Sequence, residues 1–181
     1  MGILDALFGR KEQPAATDGL FKLPDATLEL QQTGFAYAGK AGVCFRPFDT
    51  VDFEQTKADI LKVLAGGDLC SACRTAADEY GYMWIVVEGD LETAVASIHA
   101  IYEMLGDEGY GRYILCSVFK YEKGSLKLYW IFNKKGRFYP FAPAGRERDV
   151  PLELRMKALA ADLLPAENAL SQWYPLWDMP F

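Results

Sequence analysis

SLKLYWIFNKKGRFYPFAP, residues Ser125 to Pro143, sets two aromatic-rich runs on either side of the polar group Asn133-Lys134-Lys135-Gly136. A few polar residues ending in Gly between two apolar runs predict a β-hairpin. At strand spacing Leu126, Leu128, Trp130 and Phe132 share one face, and Tyr129 and Ile131 share the other. Both faces are apolar, which places the hairpin centrally in a sheet. Pro140 brings no N–H to a ladder, so the second strand is an edge or stops there.

The sequence N-terminal to the hairpin supplies more strands. Tyr80 to Glu88 (YGYMWIVVE) is apolar on both faces and reads as an interior strand. Arg112 to Glu122 reads as another, turned by Lys123-Gly124. Gly34 to Phe48 reads as a further hairpin around Gly39-Lys40-Ala41-Gly42. Thr27, Leu28 and Leu30 suggest a short strand or turn. Asp68 to Glu79 reads as a loop.

Helices alternate with these runs. One is expected from Asp52, which with Gln55 resembles a capping box; Phe53, Ile60, Leu61 and Leu64 form its apolar face, and Gly66-Gly67 ends it. A second starts at the cap Asp90, with the stripe Leu91, Ala94, Val95, Ile98, Ile101, Tyr102 and Leu105, and ends at Gly106. A third is capped by Asp149, with Pro151 in its first turn and Leu152, Met156, Leu159 and Leu163 on its buried side. Consecutive strands flanked by helices predict an α+β fold: a mainly antiparallel sheet of about five to seven strands with three or four helices packed on it, in a single domain.

The N-terminus stands apart. Residues 1–19 read as a short amphipathic segment and a polar linker, and 20–181 as the α+β domain. Ile3, Leu4, Leu7 and Phe8 gather on one side of a helix too short to persist alone in water. They dock on the protein's own body, or on a partner or membrane surface.

Composition narrows the function classes. The chain has 181 residues, half of them apolar and a quarter charged, as in a soluble globular protein. A net charge of −6 argues against nucleic-acid binding, which leans on clustered Lys and Arg. No apolar run reaches the ~20 residues of a membrane-spanning helix. The charge order of the first residues is wrong for a secretory signal. A cytoplasmic location is expected, with any membrane contact peripheral at the inner face.

Three groups could carry chemistry. Cys70-Ser71-Ala72-Cys73 has the spacing of a redox pair or half a zinc site, so Cys70 and Cys73 are the candidate thiol or metal ligands. The motif follows a helix stop and precedes a strand, the reverse of a thioredoxin arrangement, and a second ligand pair is missing. The only histidine, His99, flanks an apolar stripe without an obvious carboxylate partner, and packing explains it as well as acid–base work does. Arg137, Arg146 and Arg148 sit around the aromatic turn, where they could bind an anion or partner, or pair locally with Glu147 and Asp149. No catalytic motif is present, so a non-enzymatic role without cofactor is expected. A small-ligand pocket between sheet and helices, near His99 and Tyr139, is a further alternative.

Several blocks together resemble the PspAB family of PspA-associated proteins. They are Met1-Gly2, Gly34-Phe35, Val43-Cys44-Phe45, Tyr80 through Val86, Leu91 through His99 and Gly109-Tyr110-Gly111. The most specific are Phe138-Tyr139-Pro140-Phe141-Ala142-Pro143, Glu147-Arg148-Asp149 and Trp173-Tyr174-Pro175-Leu176-Trp177. The resemblance implies a role in the phage-shock envelope-stress response through binding PspA, a peripheral membrane protein, or a related partner. It implies no catalysis. The candidate partner-binding residues are then Arg137, Phe138, Tyr139, Phe141, Arg146, Arg148, Trp173 and Trp177, with Ile3, Leu4, Leu7 and Phe8 second. The aromatic tail has an architectural alternative, folding back as a lid over the core.

Overall fold

Strand pairing in the computed structural model follows the order β2-β3-β1-β4-β5-β6, antiparallel throughout. The structure describes residues 16–47 and 50–181. The strands are β1 (Ala36–Phe45), β2 (Ala72–Ala77), β3 (Met83–Glu88), β4 (Ile114–Lys123), β5 (Leu126–Asn133) and β6 (Phe138–Phe141). A separate ribbon joins β7 (Pro143–Ala144) to β8 (Glu147–Arg148). Among the described residues four α-helices accompany them: α1 (Leu23–Leu30), α2 (Val51–Gly66), α3 (Leu91–Asp107) and α4 (Val150–Ala160). The fold is α+β, as expected. Expectations for residues 1–9, including Ile3, Leu4, Leu7 and Phe8, lie outside the described residues.

β1 lies between β3 and β4, so the chain makes two skipping crossovers. β1 reaches β2 through α2, leaving a gap that β3 fills. β3 reaches β4 through α3, over the gap that β1 fills. Alternation then sorts side chains onto two faces. Ala41, Val43, Phe45, Ile85, Val87, Phe119, Leu128, Trp130 and Phe132 meet the helices in the main core. Cys44, Trp84, Val86, Cys116, Val118, Tyr129, Ile131, Tyr139 and Phe141 line the other face. The hairpin periodicity therefore holds, except that Leu126 at the strand start is exposed. The hairpin itself is peripheral: β6 is the sheet edge, as Pro140 requires, and β5 is next to it.

Five local readings are corrected. Residues 23–30 form a helix, because Leu23, Ala26, Thr27 and Leu30 recur at helical spacing and Pro24 opens its first turn. Residues 36–45 form one strand. The Gly39 to Gly42 segment is a bulge, with Gly39 at φ 72° and a register shift between Tyr37 and Ala41. The cap of α2 is Thr50, whose side chain accepts from Phe53 N. The expected loop at 68–79 contains β2, which its pairing with β3 creates. On α4 the buried side chains are Glu153, Met156 and Ala160, while Leu159 is exposed. The caps Asp90 and Asp149 stand as expected, accepting from Thr93 N and Leu152 N. Donation from Thr93 also holds the Asp90 carboxyl below the usual carboxylate range.

His99 is packed. Its Nδ1 lies 2.7 Å from Thr17 Oγ1, and its ring meets Phe21 edge-on. It sits on the helix face and Tyr139 on the opposite face, so the sheet separates the two residues expected beside one pocket.

Candidate functional site: an aromatic cleft beneath the C-terminal tail

After α4 the chain closes the β6 edge and crosses to the second sheet face. Phe138 N donates to Pro165 O (2.7 Å), and Glu167 N donates to Phe138 O (2.8 Å). Trp173 then stacks on Tyr139, with ring centroids 5.9 Å apart, and its Nε1 donates to Glu167 O. Trp177 meets Phe141 edge-on at 5.0 Å. Phe181 meets Trp84 at 5.7 Å, above Gly42, where an added Cβ would come within 2.9 Å of the Phe181 ring. Finally Arg74 of β2 donates to Pro180 O (2.6 Å). The tail thus straps the second face from β6 to β2, the lid expected as the architectural alternative.

Between this strap and the sheet end lies a cleft of about 720 Å³. Its floor is Cys44, Trp84, Cys116 and Tyr139, its flank is Tyr80 and Tyr82, and its roof runs from Tyr174 to Trp177. Tyr139 OH donates to Tyr174 O (3.0 Å) and holds the roof in place. The tight turn between β2 and β3 is built by Asp78. Its Oδ1 accepts from Tyr80 N and Tyr82 N, and its Oδ2 accepts from Trp84 Nε1. The rim carries three cations: Arg46 at the end of β1, and Lys134 and Lys135 in the hairpin loop. Lys135 Nζ lies 3.5 Å from Glu167 Oε2. Among the described residues Asp78 is the only acidic one in the lining, and its oxygens are occupied. A second groove, between α2 and α3, is lined by Asp52, Asp59, Asp107 and Glu108. The cationic rim therefore stands out on an acidic protein.

Cys44 and Cys116 are register partners across β1 and β4. The hydrogen bond between their thiols, and then burial, push the Cys44 thiol up. The Cys70-Cys73 motif is elsewhere, under α2 at the β2 edge. Cys73 Sγ faces Leu61 O at 3.7 Å, and the Cys70 thiol is pushed up to about 11, by burial first and then by Cys73. A raised thiol holds less of the nucleophilic thiolate. Among the described residues no group of three or more His, Cys, Asp and Glu could hold a metal ion.

The fold distributes the expected site residues. Tyr139 and Trp177 enter the cleft. Trp173, stacked on Tyr139, and Phe141, against Trp177, are buried, and Phe138 is buried on the helix face. Arg137 and Arg146 are exposed at two separate turns. Arg148 is paired locally: its guanidinium binds Glu153 of α4 and donates through Nη1 to Trp173 O (2.6 Å). Four rings singled out for a surface are thus interior. The sequence reading missed Arg46, Tyr80, Tyr82 and Tyr174. Tyr80 and Tyr82 precede an apolar strand with alternation intact, a signal that they extend its face beyond the core.

A family model described as PspAB, PspA associated protein B, matches residues 1–181, the whole chain. No curated protein and no solved structure matches the chain. No helix among the described residues is long and apolar enough to cross a membrane.

Proposed function

Because the chain belongs to the PspAB family, we propose that it is a non-enzymatic accessory protein of the envelope-stress response that works by binding PspA. One observation carries the choice of surface: a cation-rimmed, aromatic-walled cleft on a chain of net charge −6. Such a cleft suits a PspA segment with apolar and acidic side chains, since rings dominate binding energy and rim charges set partner choice and encounter rate. Membrane contact is then peripheral, through PspA or residues 1–9.

The test is a pull-down of purified PspA with the full chain, with the chain lacking residues 1–9, and with the variants Arg46→Glu/Lys134→Glu and Tyr174→Ala. Retention of PspA by the full chain, with at least about tenfold weaker binding by the charge reversal, is expected. No retention, or equal retention by every variant, overturns the reading.

The cleft volume favours one second reading, a small-ligand module, because about 720 Å³ falls within the range of ligand pockets. A thermal-shift screen of small aromatic carboxylates and phosphates separates the two. A shift abolished by Arg46→Glu/Lys134→Glu, in a protein that ignores PspA, supports the small ligand. The thiol alternative at Cys70 and Cys73 has less support, since Cys70 is held in its protonated form near neutral pH.

A further inference from the structure

The two edges of the main sheet are treated in opposite ways. At β6, Pro140 offers no donor, and the backbone of Phe138 is taken by Pro165 and Glu167. At β2 nothing comparable exists among the described residues. Its register with β3 is unbroken from Ala72 to Ala77. Asp78 N donates to Tyr82 O (3.0 Å), which fixes the phase of the ladder. Alternation then turns the N–H and C=O of Ala72, Arg74 and Ala76 toward β3 and those of Cys73, Thr75 and Ala77 outward. These outward groups have no hydrogen-bond partner among the described residues. The strand also lacks the devices that blunt an edge: it has no Pro, no Lys and no bulge, and its side chains are small apart from Arg74. Arg74 is drawn onto the tail by Pro180 O and does not shield the edge.

We propose that the β2 edge is an interaction surface for a second copy of this chain, joined antiparallel about Thr75 so that the sheets of both copies run on as one. The sequence is self-complementary in that register. Thr75 faces Thr75 of the other copy, a favourable cross-strand pair, and Cys73 faces Ala77. All outward groups are matched, giving about six backbone hydrogen bonds. Arg74 faces Ala76, so the strand's only charge never opposes itself. A contact built on one short strand lies at the small end of specific interfaces, so the association is concentration-dependent.

Sedimentation velocity over a dilution series of the full chain tests this, with Thr75→Pro and Ala77→Lys alongside. Proline at 75 removes an outward N–H and leaves the ladder to β3 intact; far-UV circular dichroism checks that each variant is folded. The expected result is a mass that rises toward twice the monomer in the wild type and stays monomeric in both variants. Amide exchange at Cys73, Thr75 and Ala77 should slow as concentration rises. A wild type that is monomeric throughout overturns the proposal. So does a dimer that Ala77→Lys leaves unchanged, should Thr75→Pro not fold, and so does an edge that protects only when a different protein is added.

Discussion

Arg148 Nε lies 3.0 Å from Glu153 Oε1 and 3.1 Å from Oε2, while Nη2 lies 2.8 Å from Oε2. This fork joins the β7–β8 ribbon to α4. Glu153 Oε1 also accepts from Ala142 N (2.9 Å), and Arg148 Nη1 reaches the tail at Trp173 O. Glu153 is 1% exposed and Arg148 borders solvent. Arg148→Ala should therefore destabilise by about 3 kcal/mol, because it strands a buried carboxylate. Glu153→Gln should cost less, since it keeps an acceptor for Ala142 N. Urea unfolding of both singles and the double decides. Additive losses would contradict a coupled pair.

Trp173 and Trp177 contribute unequally to the strap. Trp173 is buried against Tyr139, while Trp177 is half-exposed. Trp173→Ala should cost about 3–5 kcal/mol, as for other buried aromatics. Trp177→Ala should cost about 1 kcal/mol. Thermal unfolding measures both, and equal losses would show that the tail does not seat as described.

Much of this fold is legible in the chain, and the failures have physical causes. The stripe of α3, its cap at Asp90, the alternation of β3 to β5 and the edge proline are local patterns. β2 is different: CRTAA has few strand formers, and only the ladder of β3 makes it a strand. The bulge at Gly39 looks like a turn because glycine at positive φ serves both. The cleft was less legible still. Its floor comes from β1, β3, β4 and β6, which become neighbours only through the strand order. Tyr139 and Trp177 were found because their motifs are dense in aromatics, whereas Arg46 and Tyr80 are ordinary residues until the sheet is assembled.

Thiol accessibility should split the cysteines into two pairs. Cys44 and Cys116 are buried, and Cys70 and Cys73 are half-buried. In the native protein at neutral pH a disulfide reagent should label Cys70 slowly, because its thiol is pushed up to about 11. Cys44 and Cys116 should react only on unfolding. Mass spectrometry of native and guanidinium-treated protein checks this, and rapid native labelling of Cys116 would mean that the cleft floor opens.

Alkali should unfold the protein over a defined range. Burial raises Tyr37, Tyr102, Tyr121 and Tyr139, and pushes Tyr129 up to about 12. An unfolded phenol ionises near about 10. Above that pH the unfolded chain releases protons that the folded chain keeps, so stability is complete below pH 10 and falls as pH rises through 12. Absorbance of tyrosinate near 295 nm, followed with circular dichroism, should show a late set of tyrosines ionising together with unfolding. Ionisation of all ten tyrosines in a folded protein would contradict the burial.

The central place of β1 has a consequence for how the chain assembles. β4, β5 and β6 form a meander of near neighbours in sequence, and β2 and β3 form a hairpin; both can zip early and locally. The two share no ladder. In the sheet they are joined through β1, which leaves the ribosome before either and must remain unpaired until β3 and β4 have been synthesised. Its ten residues are therefore the keystone of the folding reaction. Substitutions that weaken β1 should slow folding more than those in β6, and should lengthen the time during which Val43, Cys44 and Phe45 stand open to aggregation.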